Sequence, residues 1–248
     1  MNTIKPGISR LWVSLMIAVS LVLSGCASTG SSLPLPDFTT SGTADPRLTS
    51  SDDAKFFSAS GFQACTVGAA AGILACMLSN SGNKAVCAAV AGVAACGVAM
   101  GANYYLDDRR AKYSNTTQRL NAMTADVQQE TAKVATRTST LKRVIEDDKQ
   151  QIASIQQGIK AKTVDKAKAQ KDIAGIDKNI ALMRKDVDNM KVRVTEFEKV
   201  AKLEREGGSS KVEVQKVEAE IYKMNTKVAS LQQEVDGLYN QRSAITLG

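Results

Sequence analysis

The fold is decided by residues 173–201, IAGIDKNIALMRKDVDNMKVRVTEFEKVA. Apolar side chains return there in two rows, Ile173, Ile180, Val187, Val194 and Ala201, and Ile176, Met183, Met190 and Phe197. That is the a/d spacing of a heptad, which buries one helical seam against another and winds a left-handed coiled coil. The frame extends back without a stutter. Its a positions continue through Lys166, Ile159, Ile152, Ile145, Thr138, Thr131 and Thr124, and its d positions through Ala169, Lys162, Ile155, Asp148, Leu141, Val134 and Val127. It runs forward to Glu204. Asp148, Lys162 and Lys166 are polar intruders that weaken the middle.

Gly207-Gly208-Ser209-Ser210 ends this helix, with Gly207 expected as the residue past its C-cap. Ser210 and Glu213 are spaced as a capping box for a new helix. A fresh frame follows, with Val214, Ile221, Val228 and Val235 at a and Val217, Met224, Leu231, Leu238 and Ile245 at d. A short connection favours an antiparallel neighbour, so the last helix folds back, with Ile176 expected beside Val235–Leu238. Thr124–Ile159 then lacks a partner. Either another copy or another protein covers it, or the chain bends near Thr163 into a three-helix bundle. Continuity of the frame favours one long helix from Tyr105 to Glu206, about 150 Å. The predicted class is all-α: a small-residue helical hairpin, then a long helix that folds back as an antiparallel coiled-coil hairpin.

Composition agrees. The four prolines are Pro6, Pro34, Pro36 and Pro46, so the remaining 202 of 248 residues contain none, and proline is the strongest helix breaker. There is no histidine, which excludes histidine acid–base catalysis, histidine-containing triads and histidine-ligated zinc. Neither a phosphate-binding glycine loop nor a clustered set of carboxylates is evident. Asp107-Asp108 and Glu146-Asp147-Asp148 read as solvated helix residues, and the lysine excess as a solvated helix surface, with contact to anionic lipid or peptidoglycan as the alternative. No catalytic residue, metal ligand, cofactor, small-molecule substrate or nucleic acid is expected.

The N-terminus is a targeting segment. Lys5 and Arg10 precede an apolar run, Leu11–Leu23, of secretory length. Leu23-Ser24-Gly25-Cys26 follows. This tetrad resembles the lipobox of bacterial lipoproteins at all four positions. The resemblance implies removal of residues 1–25 and acylation of Cys26, several chains together giving a firm anchor. Ala27, where Asp would signal retention at the inner membrane, implies the outer membrane, with the chain facing the periplasm.

Residues 26–53, rich in Ser, Thr, Gly, Pro and Asp, are expected to be a flexible tether. Residues 54–106 then hold two small-residue runs, Gly61–Leu78 and Ala85–Leu106, flanking the turn signal Ser79–Lys84. Gly61, Cys65, Gly68, Gly72 and Cys76 form one helical stripe, and Cys87, Gly97 and Gly101 lie on the other. In an antiparallel pairing Cys76 meets Cys87, Gly72 meets Gly92, Gly68 meets Gly97 and Gly61 meets Gly101, so small residues oppose small residues. The pattern resembles the glycine-zipper hairpins of some outer-membrane lipoproteins. Cys76 and Cys87 suit a disulfide in an oxidising compartment. Either Cys65 and Cys96 pair across a helix distorted near Gly92, or Cys96 bonds a neighbouring molecule, and four free buried thiols are the alternative. The hairpin either enters or lies on a membrane, or packs in water.

The domain reading is therefore signal peptide 1–25, tether 26–53, hairpin 54–106, long helix 107–206, and turn with return helix 207–248. The functional expectation is a non-enzymatic, lipid-anchored coiled-coil spacer or scaffold in an envelope assembly for secretion or envelope integrity. It would partner membrane lipid and an envelope protein or itself. The alternative is a membrane-active glycine-zipper oligomer forming a channel or plug.

Overall fold

A computed structural model describes residues 42–57 and 97–247. Among these residues the structure is all helix, turn and connecting chain, with no strand. In chain order they form a 3-10 turn, Pro46–Leu48; α1, Asp52–Phe57; a second 3-10 turn, Gly97–Met100; α2, Ala102–Lys112; α3, Thr116–Lys160; α4, Lys166–Glu206; and α5, Lys211–Ser243.

The heptad frame is realised, but the long helix is two helices. Residues 161–165 turn the chain back, so α3, α4 and α5 pack as a three-helix bundle. Asn115 caps α3 by accepting from the Gln118 amide at 3.0 Å, and Asp165 caps α4 by accepting from Lys168 at 3.0 Å. Between them Lys162 takes the left-handed conformation, φ 58°, which a non-glycine residue rarely does. The amides of Lys162 and Thr163 bond back to Ile159 and Gly158 and close the α3 terminus. The turn preserves heptad phase from Ile159 through Lys166, so an unbroken frame did not require an unbroken helix.

Cross-helix pairs fix the directions. Arg119–Glu204, Arg193–Glu130 and Arg137–Asp186 join α3 to α4 with opposite numbering. Lys191 donates to Gln232 at 2.7 Å and Arg242 to Asp177 at 2.7 Å, so α5 is antiparallel to α4. Lys142–Glu234 and Thr117–Glu213 show α5 running parallel to α3. The Arg242–Asp177 pair shifts the return helix one to two turns from the expected register of Ile176 against Val235–Leu238. The α5 stripe is buried as predicted: Val214, Val217, Ile221, Met224, Val228, Leu231, Val235 and Leu238.

The last connection also differs in detail. Gly207 stays at φ −74°, and Gly208, at φ 80°, is the left-handed residue. Ser210 makes no side-chain cap, so the capping box does not form. Glu213 instead accepts from the Thr117 hydroxyl at 3.1 Å.

Two further corrections concern the N-terminal half. Residues 42–53, read as tether, are seated on the bundle, with Leu48 4% exposed. The second small-residue run, read as one helix to Leu106, is broken: Gly97 (φ 55°) and Gly101 (φ 99°) are left-handed, and Gly101 precedes α2. Among the described residues no atom lies within 4 Å of where a Cβ would sit on either. Both glycines supply backbone conformation at the turn before α2, and Gly68 and Gly61, expected opposite them, lie outside the described residues. Leu23, Ser24, Gly25, Cys26, Gly61, Gly68, Gly72, Cys65, Cys76, Cys87 and Cys96 lie outside the described residues.

Candidate functional site

The chemically distinctive region is the seam between α3 and α4. One heptad position before each a residue, α3 buries Met123, Glu130, Arg137 and Val144, and α4 buries Asn179, Asp186, Arg193 and Val200. Antiparallel packing sets these rows against each other, with Met123 and Val200 at one end, Val144 and the polar Asn179 at the other, and the charged residues between. Arg137, fully buried, donates from Nε and Nη2 to Asp186 Oδ2 at 2.8 and 2.6 Å. Arg193, 1% exposed, donates from Nη1 to Glu130 Oε1 at 2.6 Å. Asn179 Nδ2 reaches both Asp148 oxygens at 3.1 Å.

Residues 42–57 lie along this seam as a strap. Arg137 Nη1 donates to the Arg47 carbonyl at 3.0 Å and Nη2 to the Leu48 carbonyl at 2.9 Å. Farther along, Arg193 Nη2 donates to the Phe56 carbonyl at 3.3 Å, and Asn189 donates to the Phe57 carbonyl. At the other end Asn179 Oδ1 accepts the Asp45 amide at 2.7 Å, and Lys178 donates to the Gly42 carbonyl. A Cβ on Gly42 would sit 2.4 Å from the Gly175 nitrogen, so the two backbones touch directly there. Phe56 lies between Lys133 and Arg193, each 4.1 Å from its ring centroid, a favourable cation–π arrangement. Leu48, Ala54 and Phe57 supply the buried apolar contacts.

The strap has local reasons for its shape. Asp45 caps the 3-10 turn by accepting from the Arg47 amide at 2.8 Å, and Pro46 supplies the φ that starts it. Arg47 then bridges Asp45 and Asp147, each at 2.6 Å. Farther toward the α3 N-terminus α2 covers the same seam. Its Tyr105 is fully buried, packs edge-on against Phe197 with centroids 5.7 Å apart, and donates to Asp126. Glu204 gathers Arg110, Arg119 and Ser209.

Burial dominates the acid–base behaviour. It pushes Asp148 up to about 6, helped by the nearby Asp45 and Asp147 carboxylates and opposed by the hydrogen bond from Asn179 and the charge of Arg47. Burial also raises Asp186, against the pull of Arg137. At Glu204 burial is outweighed by the hydrogen bonds from Arg119 and Ser209, which hold the carboxyl below its ordinary value.

Asp148 and Asp108, expected in solvent, are 5% and 0% exposed, whereas Glu146 and Asp147 are exposed as expected. Arg137, Arg193, Glu130, Asp186 and Asn179 went unrecognised as a set. Their signal was one row of the heptad whose charges become complementary only once α4 reverses. Chemically, this seam holds backbone carbonyls, and its charged groups are spent on one another. Among the described residues no group of three or more potential ligands could hold a metal ion, and no helix is long and apolar enough to cross a membrane. No family model matches the chain, and no curated protein or solved structure is significantly similar to it.

Proposed function

We propose that this chain is a bacterial lipoprotein, acylated at Cys26, whose helical bundle acts as a non-enzymatic scaffold on the periplasmic face of the outer membrane. The observation that carries this reading is Leu23-Ser24-Gly25-Cys26 directly after the apolar run Leu11–Leu23. The bundle is compatible with it. A self-paired charged seam suits a rigid spacer, and α3 with 45 residues gives a body about 68 Å long in place of the 150 Å rod. The process served would be secretion or envelope integrity, through an envelope protein or a second copy.

Intact-mass analysis of the protein purified from membranes tests the anchor. The expected species begins at Cys26 and carries acyl chains, and Cys26→Ser leaves the precursor uncleaved. A mature chain that starts elsewhere with an unmodified Cys26 would sink the proposal.

One observation favours the membrane-active oligomer as a second reading. Phe57 is held by Asn189, and the Ala102 amide donates to Glu196 at 2.7 Å. Phe57, before the small-residue runs, and Ala102, near the end of the second, thus sit about two turns apart on α4, a spacing that two ends of one hairpin could share. Native mass in mild detergent separates the two, since a defined ring of copies supports the channel and a monomer supports the scaffold.

A further inference from the structure

Lysines cluster at one end of the bundle. The whole chain carries +7, and removal of Lys5 and Arg10 with residues 1–25 would leave +5. Residues 160–172 contain Lys160, Lys162, Lys166, Lys168 and Lys171 against Asp165 and Asp172, +3 within thirteen residues. All other residues of the mature chain therefore sum to +2. The five lysines crowd the final turn of α3, the 161–165 connection and the first turns of α4, and all five are exposed. Asp172 meets Lys168 at 2.6 Å. At the opposite end the cations are interleaved with carboxylates: Arg109, Arg110, Lys112, Arg119, Lys202, Arg205, Lys211 and Lys216 face Asp107, Asp108, Glu204, Glu206, Glu213 and Glu218.

The strap supplies a second, independent observation. It enters the bundle at Gly42, against Ala174 and Gly175, and proceeds toward Phe57 beside Asn189. Gly175 lies nine residues past the start of α4, about 14 Å from the lysine end, and the α4 C-terminus is over three times farther. Sixteen residue steps separate Gly42 from Cys26, a covalent limit of roughly 55 Å and a coil average near 22 Å. An anchor at Cys26 thus keeps the lysine end, rather than the opposite one, close to its membrane.

We propose that the lysine-rich α3–α4 connection is a contact surface for anionic phospholipid headgroups, which stands the bundle end-on against the membrane that holds Cys26. This rests on the lipoprotein reading for the anchor but not for the surface. Several lysines near an anionic bilayer bind additively, each contributing about fivefold in partition, with strong dependence on salt.

The sole tryptophan, Trp12, lies in the segment that processing removes. Mature Ala161→Trp therefore carries a single reporter at the lysine end, and Val212→Trp one at the other. Each acylated protein is reconstituted in vesicles of brominated phosphatidylcholine with or without 30% phosphatidylglycerol. Ala161→Trp should be quenched strongly only with phosphatidylglycerol, Val212→Trp should not, and 0.5 M salt should reverse the difference. Replacing Lys160, Lys162, Lys166, Lys168 and Lys171 by Gln should abolish it while circular dichroism stays helical. Equal quenching of the two reporters, or quenching independent of phosphatidylglycerol, overturns the proposal. So does loss of co-sedimentation with peptidoglycan in the Gln variant while its lipid quenching persists, which would make the surface one for cell wall. Flotation with neutral vesicles reads the acyl anchor alone. A chain without that anchor should still float with anionic vesicles, at least 100-fold better than its Gln variant, so the two readings fail separately.

Discussion

The two seams of the bundle are built from opposite materials. The α5 helix meets its neighbours through eight apolar side chains from Val214 to Leu238, each 3% exposed or less. The α3–α4 seam buries Glu130, Arg137, Asp148, Asn179, Asp186 and Arg193 and is roofed by the strap. Burial of apolar area drives association wherever it occurs. Buried ion pairs repay desolvation only when their geometry is satisfied, and their better-attested role is to fix register. The α5 seam therefore accounts for most of the cohesion. The charged seam determines which residues of α3 face which of α4, and where the strap lies.

Arg137→Ala should show the largest effect, a loss of about 3–5 kcal/mol, because Asp186 and two strap carbonyls lose a buried donor together. Urea denaturation followed by circular dichroism measures it. The double variant Arg137→Met with Asp186→Leu should recover most of that loss if the pair serves register rather than cohesion. If the double variant is no better than the single one, the contrast between the seams disappears. Leu231→Ala, at a fully buried α5 position, should cost about 2–5 kcal/mol. A loss below about 1 kcal/mol would mean that the α5 seam collapses around the gap or is not the cohesive one.

The acid–base prediction separates the seams by pH. Asp148 titrates at about 6 in the folded chain, above the 3.8 of an ordinary aspartate. The folded state thus binds this proton more tightly than the unfolded state. Its contribution is complete below pH 4 and is lost as pH rises through 6, by at most about 3 kcal/mol. Asp148→Asn should accordingly stabilise the protein at pH 7.5 and flatten the difference between pH 5 and 7.5. A wild-type protein that gains stability over that interval relative to Asp148→Asn would contradict the burial of Asp148. The smallest effect is expected at Lys142–Glu234, where both side chains reach solvent. Lys142→Gln should change the thermal midpoint by an amount corresponding to less than about 1 kcal/mol.

These contrasts also explain what was legible in the sequence. The apolar rows of α4 and α5 could be read directly because burial depends on each residue's own character and its period. Gly208 and Asp165 mark the breaks, but the second is hidden. Lys162 accepts a left-handed φ, and the frame runs on across the turn. Once α4 reverses, Arg137 comes opposite Asp186, a pairing that no local pattern contains. The strap was missed for a related reason. Pro46, Leu48, Phe56 and Phe57 offer too little apolar area to order themselves, and the Leu48 and Phe56 carbonyls are held by two arginines, Arg137 and Arg193, 89 and 137 residues away.

The direction of the strap has a mechanical consequence. Its contacts to Lys178, Asn179, Arg137, Asn189 and Arg193 are strung along the bundle axis, and the chain before Gly42 departs at one end of that string. A tug on residue 41 along the axis loads these bonds in shear, all sharing the force. A tug across the axis peels them singly, Gly42 first and Phe57 last. The same strap is a strong coupling when the bundle stands upright under tension and a zip fastener when it is pulled sideways.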